Sequence, residues 1–404
     1  MSAFAARCTA LITLAGGAVA VLPAQNRPTF VLDKGAVEFP ESFSKVSQVV
    51  ELRDGRVLLL DAGEGSLLAV DFAKKSSTKV SRQGGGPLEY RAPGFLLGSA
   101  ADTLIYFDMM QSRFLLLSSA AAPLATARFG SGASEAMLSG MMPSAMDARG
   151  RIYGVTSGFS MGASDAKSRT MPNIADTVEI QRLDRRSGAT TTLARIRNIT
   201  SRMKPKVEPD GAGMKLTMTA PDGQAMDAWT VLPDGRIAAL RDGIYRVHFL
   251  ADGGKDVLGP EIPYVAVVVT ASERKAIVDS MRLGMERMMA ASRKAFSAAA
   301  GASGKAAPKF EAVVLEPAKW AATKAAYTNI ISSPDGLLWV SLSGPTGSRV
   351  QRFDVLNGTG ALLAHVQLAS GESIVGWGHG TIYTIRMDDD DLQYLRRHTL
   401  PVLK

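Results

Sequence analysis

One cysteine occurs in the whole chain, Cys8, and it lies inside the first apolar segment. Everything beyond that segment is free of thiols, which excludes disulfide staples and thiolate metal sites there. Only four histidines occur, His248, His365, His379 and His398, and none are spaced as HxH or HxxxH. Each reads as a satisfied surface or turn histidine rather than a ligand or general base. Aromatics are sparse at 6%. No long apolar run appears after residue 25, whereas a membrane-spanning helix needs roughly 20 apolar residues. Nothing in the chain calls for a nucleotide loop or an α/β-hydrolase serine triad.

The net charge is +8, but the basic residues are scattered. The densest groups, at 182–186 and 396–397, make no stripe, so a solvated surface is expected and nucleic acid is not a predicted partner. The N-terminus has the three-part layout of a secretory signal peptide. Arg7 precedes the apolar run LITLAGGAVAVL, and small residues follow at 18–20 and 23–24. Residues 1–24 are therefore read as a signal peptide. The mature chain is expected to be periplasmic or extracellular and monomeric.

An internal repeat organises the rest. A short apolar strand, a tight turn around Gly and a second apolar strand recur at 49–72, 99–119, 144–158 with 176–188, 229–253, 329–358 and 373–399. The turn glycines are Gly55, Gly150, Gly235, Gly336 and Gly380, with Asp102-Thr103 in that place in the second copy. Asp-Gly between β-rich runs signals a hairpin, and a type I′ turn is the expected form. Units of 40 to 50 residues with three or four strands are the sequence signature of a β-propeller. The expected fold is all-β: a six-bladed propeller of four-stranded blades over residues 29–404. The segment TFVLDKGAV (29–37) is expected to supply the outer strand of the last blade and close the ring.

The glycine-rich string RQGGGPLEYRAPGF (82–95) has no Gly-Lys after it, and its prolines suit no helix that could point at phosphate. It reads as a crossover between blades. GGGPLEYRAP (84–93) resembles the Gly-rich, Glu/aromatic, Pro pattern between blades of NHL-type propellers. It is most similar to that of bacterial exported six-bladed propellers of the NHL/TolB-like group. DGIYRVHFLADGG (242–254), GPEIPYVAVVVTASER (259–274) and SSPDGLLWVSL (332–342) fit the same group. The resemblance implies a fold and an export route more than an activity.

Three stretches interrupt the repeat. Residues 158–175 and 197–225 read as irregular loops. Residues 270–304 read as a helical insertion between blades four and five. Thr270 and Glu273 have the form of a capping box, and Ile277, Met281, Met285, Met288 and Met289 recur at helical spacing over 270–298. The methionines are a candidate partner-binding face; a helix merely packed on the ring is the simpler reading.

Propeller ligands sit in the central channel, lined by each blade's innermost strand. The candidates are 48–52, 95–99, 137–141, 228–232, 328–332 and 373–377. Their polar residues are Gln48, Glu51, Thr230, Asn329, Ser332 and Ser373. Glu51 and Asn329 are the candidate channel site. One carboxylate falls short of the several that a calcium site wants. The run Asp388–Asp391 lacks the DxDxDG spacing and reads as a solvated turn. No cofactor or metal is expected. The predicted function is a scaffold that binds a protein partner or a small ligand; the alternative is a metal-dependent, lactonase-like hydrolase or lyase.

Overall fold

The computed structural model describes residues 27–402, apart from 33–34, 92–93, 101–102, 110, 129–140, 157–158, 161–172, 186, 211–212, 251–254 and 304–308. The expected signal segment and Cys8 lie outside the described residues. The protein is all-β, built from antiparallel four-strand units. Sheet I comprises Val46–Glu51, Val57–Asp61, Ser66–Asp71 and Ser76–Lys79. Sheet II comprises Gly94–Ala100, Thr103–Asp108, Arg113–Ser118 and Pro123–Ala127. Sheet III comprises Met141–Met146, Ile152–Thr156, Thr177–Leu183 and Thr190–Arg197. Sheet IV comprises Ala228–Val231, Ile237–Leu240, His248–Leu250 and Val257–Leu258. Sheet V comprises Tyr327–Ser332, Leu338–Leu342, Arg352–Leu356 and Leu362–Leu368. Sheet VI comprises Glu372–Trp377, Thr381–Met387, Gln393–Thr399 and Val37–Phe43, the last from the N-terminal end. Sheets VI and I are bridged by a short parallel pairing, Gly376 with Val49 and Trp377 with Val50.

The second strands are the most apolar, and VLLLD (57–61) and IAAL (237–240) are buried along their whole length. Such strands need cover on both faces. Neighbouring sheets supply it. Leu58 and Leu60 of sheet I pack with Leu96 and Tyr106 of sheet II. Phe107 of sheet II packs with Ile152 of sheet III, and Ile180 of sheet III with Ala239 of sheet IV. Leu240 of sheet IV packs with Val340 of sheet V, and Trp339 of sheet V with Ile382 of sheet VI. Tyr383 of sheet VI then packs with Leu59 of sheet I, which returns the core to its start. Each fully buried side chain of this size contributes about 1.5–3 kcal/mol.

Several expectations are corrected. The outer strand of sheet VI is Val37–Phe43, not 29–37; the earlier part, Thr29–Leu32, pairs in parallel with Leu362–Leu368 as an extra strand on sheet V. Phe39 and Phe43 decide this, because both bury between sheets VI and I. The first strand of sheet III is Met141–Met146; of the expected 137–141, all but Met141 lies outside the described residues. The stretch 197–225 is not irregular throughout. Lys206–Asp210 and Gly213–Thr219 form a hairpin, and Lys309–Leu315 adds to it in parallel. Most of 158–175 lies outside the described residues, and its ends pair as Phe159–Ser160 with Asn173–Ile174.

The hairpin glycines do take positive φ: Gly55 +80°, Gly150 +76°, Gly235 +89° and Gly336 +80°. The turn is not type I′, however. Gly55 N–H donates to Leu52 O, and Leu52 N–H donates to Arg56 O, so a type I turn is followed by a single left-handed Gly. The same two bonds recur around Gly150, Gly235 and Gly336. The Arg after the glycine then reaches forward. Arg56 donates to Ala120 O in sheet II (3.0 Å), and Arg236 donates to Gly358 O in sheet V (2.8 Å).

The glycine string is a crossover folded around one carboxylate. Glu89 accepts from Gly86 N–H (2.7 Å) and is ion-paired with Arg82. A Cβ on Gly84 would overlap the Glu89 carboxylate, so a side chain there would move Glu89 from this seat. Tyr90 is buried against Tyr106, and its hydroxyl accepts from Leu67 N–H at 2.7 Å. Tyr90→Phe leaves that buried N–H unpaired and is expected to cost about 1–3 kcal/mol in urea unfolding; an unchanged midpoint would refute this role for the hydroxyl.

Candidate functional site

The first strands of the sheets lie side by side in the order VI, I, II, III, IV, V. Neighbours are stapled by side chains. Gln48 of sheet I accepts from Leu96 N–H (2.8 Å) and donates to Leu96 O (3.2 Å) of sheet II. Thr230 of sheet IV accepts from Ser332 N–H (3.1 Å) of sheet V. Two of the polar residues expected to face a ligand are thus spent on joining the strands.

Where these strands end, a cavity of about 340 Å³ opens, with lining from all of these sheets. Glu51, Gly98, Asp147, Val231, Ser333 and Trp377 represent sheets I to VI in turn, and His379 stands beside Trp377. Glu51 Oε2 accepts from Thr381 Oγ1 (2.6 Å) and Tyr383 OH (2.5 Å), and Oε1 accepts from His379 N–H (3.2 Å). Burial pushes the Glu51 carboxyl up, but the hydrogen bonds from Thr381, Tyr383 and His379 outweigh it and hold it below the usual range. Burial, with the Glu51 carboxylate beside it, pushes the Tyr383 phenol up. Gly378 makes this seat possible, because a Cβ there would overlap Glu51 Oε2 and Thr381.

Asp147 is bound more tightly. It accepts from Arg149 N–H (3.0 Å), Arg151 N–H (2.9 Å), Arg151 Nε (2.6 Å) and Tyr153 OH (2.9 Å). Burial and that carboxylate push Tyr153 up to about 12. Asn329 does not join Glu51. It is exposed, pairs across to Ser341, and is not part of the cavity lining. Among the described residues no three His, Cys, Asp or Glu come together at metal-binding reach. A metal at Glu51 would find only Oε1 partly open and no second free carboxylate, since Asp147 is enclosed by its own donors.

Sequence reasoning missed Asp147, Ser333, Trp377 and His379. About half of the lining comes from the turns after the first strands, and the third of those strands was expected at 137–141. The expectation that nothing in the chain suggests a serine elbow is corrected in one respect: Gly158-Phe159-Ser160-Met161-Gly162 does have the G-x-S-x-G spacing. Its Ser160 lies in a two-residue strand paired with Asn173, and residues 161–172 after it lie outside the described ones.

Two of the histidines are not at the surface. His398 Nε2 lies 3.0 Å from Thr384 Oγ1 and 3.2 Å from Glu372 Oε2 inside sheet VI. His248 is buried beside the Arg241–Asp256 pair, and burial, then the Arg241 charge, pushes its ring down. His365 lies 2.7 Å from the buried Asp354, which also accepts from Tyr245 OH (2.8 Å). Asp388 accepts from Asp390 N–H (3.0 Å) and Leu392 N–H (2.9 Å), so the acidic run is a turn organised by its first member.

A helix spans Ala271–Ser303. Thr270 caps it by accepting from Glu273 N–H (3.2 Å). Glu273 does not reach back as a capping box would; it ion-pairs with Lys324 and accepts from Thr346 N–H (2.9 Å), which ties the helix start to sheet V. Val278, Met285 and Met289 are buried, Met281 is half-buried, and Met288 faces outward. The inward stripe lies on the side of strand Lys309–Leu315.

No family model and no curated protein matches the sequence significantly. Solved structures with a similar course do exist. A member of the duf4221 family from Bacteroides vulgatus is 8% identical over 91% of this chain and 97% of its own, with a TM-score of 0.46. The calcium-binding protein regucalcin from Agrobacterium tumefaciens is 11% identical over 93% and 99%, with a TM-score of 0.42. Streptogramin B lyase is 10% identical over 90% and 97%, with a TM-score of 0.37. No ligand or activity is carried over from them. No helix among the described residues is long and apolar enough to cross a membrane.

Proposed function

We propose that the protein is an exported six-bladed β-propeller that binds a small ligand or a partner's side chain in its axial cavity, without catalysis. Sheets I to VI are the blades, Val37–Phe43 closes the ring, residues 1–24 direct export, and 270–304 is an insertion between the fourth and fifth blades. One observation carries the reading. The cavity draws on every blade, yet of its two carboxylates Asp147 is spent on the protein itself and Glu51 keeps only Oε1 partly open. A general base needs a carboxyl poised near the working pH, and a hydrolytic metal needs free oxygen ligands. Glu51 is held below the usual range, and Asp147 is enclosed by four donors.

Thermal unfolding with EDTA, and then with calcium or zinc restored, tests this. A metal held only by the folded state at a hundredfold excess over its Kd would add about 2.7 kcal/mol. The expected midpoint is the same in all three. A midpoint that falls with EDTA and recovers with one metal would replace this reading with a metal-dependent hydrolase or lyase.

A further inference from the structure

We infer that the axial cavity selects an organic cation, an ammonium-type head on a short apolar stem. This rests on the binding-cavity reading above and adds the class of ligand. Glu51 lies in the lining and has no ion-pair partner among the described residues; its donors are two hydroxyls and one backbone N–H. Its Oε1 accepts a single long bond, so lone pairs remain for a guest. The second carboxylate, Asp147, is already neutralised by Arg151. Among the described residues no Lys or Arg lines the cavity. The site is therefore locally negative in a protein whose net charge is +8. Low-dielectric walls around a single charge concentrate its field.

The walls set the rest of the preference. Val50, Met146, Val231 and Pro334 are apolar, and Trp377, whose ring also packs against Trp339, is the one Trp, Tyr or Phe of the lining among the described residues. Trp is the best aromatic partner for an ammonium. A hard metal ion wants about six to eight oxygens, which one carboxylate with a spare oxygen does not supply. An alkylammonium needs only the charge, the ring and the apolar surface. About 340 Å³ lies at the small end of ligand pockets, which suits a short stem.

The probes are hexyltrimethylammonium, hexanol and hexanoate, titrated into the intact protein by calorimetry at low salt. The ammonium is expected to bind with a Kd of about 1 mM or better, and about tenfold more tightly than either other probe. Glu51→Gln should bring its preference over hexanol to about onefold while hexanol binding stays. A thermal melt first shows that this variant folds. If it does not fold, Trp377→Leu supplies the readout, with a larger loss expected for the ammonium than for hexanol. Equal or tighter binding of hexanoate or hexanol overturns the inference, as does a Glu51→Gln variant with the preference intact. An ammonium that gives no heat at about 10 mM also overturns it. Val231→Trp separates the two levels. Should hexanol or hexanoate bind and this variant abolish it, the cavity reading stands and only the cation preference falls. If no probe binds and this variant changes nothing, both fall.

Discussion

Phe39→Ala is expected to lower the unfolding free energy by about 3–5 kcal/mol, the range for a buried Phe truncated to Ala. Phe39 is fully buried, stacks on Phe43 at 5.8 Å between centroids and meets Phe72 edge-on at 5.5 Å. It is the main apolar anchor of Val37–Phe43, the strand that completes sheet VI and covers its junction with sheet I. The cost is therefore more than a cavity: a loosened strand also uncovers Tyr383 and Leu395. Urea unfolding reads the effect as a lowered midpoint. A change below about 1 kcal/mol would show that the strand is held by its hydrogen bonds rather than by this ring.

Glu372→Ala is expected to cost about as much, roughly 3–5 kcal/mol, because removing one member of a buried charged network leaves the others uncompensated. Glu372 is almost wholly buried. It is ion-paired with Arg396 and accepts from Thr384 Oγ1 at 2.9 Å, with His398 at 3.2 Å. Arg396 also approaches Glu38 at 3.5 Å, and Arg386 forks onto Glu38 with two bonds of 2.9 Å. The network thus runs across all four strands of sheet VI and latches the N-terminal one. Burial pushes the Glu372 carboxyl up, but His398, Thr384 and the Arg396 charge outweigh it and hold it below its ordinary 4.5. The Arg386 bonds, against burial, hold Glu38 down as well. Both carboxyls bind protons less readily when folded, so the stability they lend is complete above pH 4.5 and lost as pH falls below it. The urea midpoint of the parent protein should drop as pH falls below about 4.5, and that of Glu372→Gln should drop less. Parallel pH profiles would remove Glu372 from the latch.

Much of the strand pattern was legible because its cues are local. Apolar runs broken by Asp-Gly predict hairpins, and the positive φ of Gly55, Gly235 and Gly336 bears this out. The turn type was not legible, since Asp-Gly suits both a type I′ turn and a type I turn with a left-handed Gly; only the hydrogen-bond register decides. The closing strand was misplaced because TFVL looks like a strand and VEFPESF does not. Pro40 and two glutamates argue against a central strand, yet all are tolerated on an edge, where Val37–Phe43 lies. The arginines of Asp54-Gly55-Arg56 and Asp234-Gly235-Arg236 repeat visibly, but their reach to Ala120 and Gly358 does not. The candidate site was half read. Glu51 was found as the lone carboxylate on a first strand. Its partners Thr381 and Tyr383 lie at the other end of the chain, and no spacing rule connects them.

The pairing of Val37 with Arg397 also has a consequence in time. During synthesis this early strand waits for a strand made more than 300 residues later. Until residues 393–399 emerge, Phe39 and Phe43 have no finished surface to bury against, and the edge they sit on is open to other chains. The five earlier sheets can stack as they appear, but sheet VI lacks its fourth strand pairing until 393–399 have been made. A chain that stops before 393–399 therefore leaves Val37–Phe43 without its partner strand.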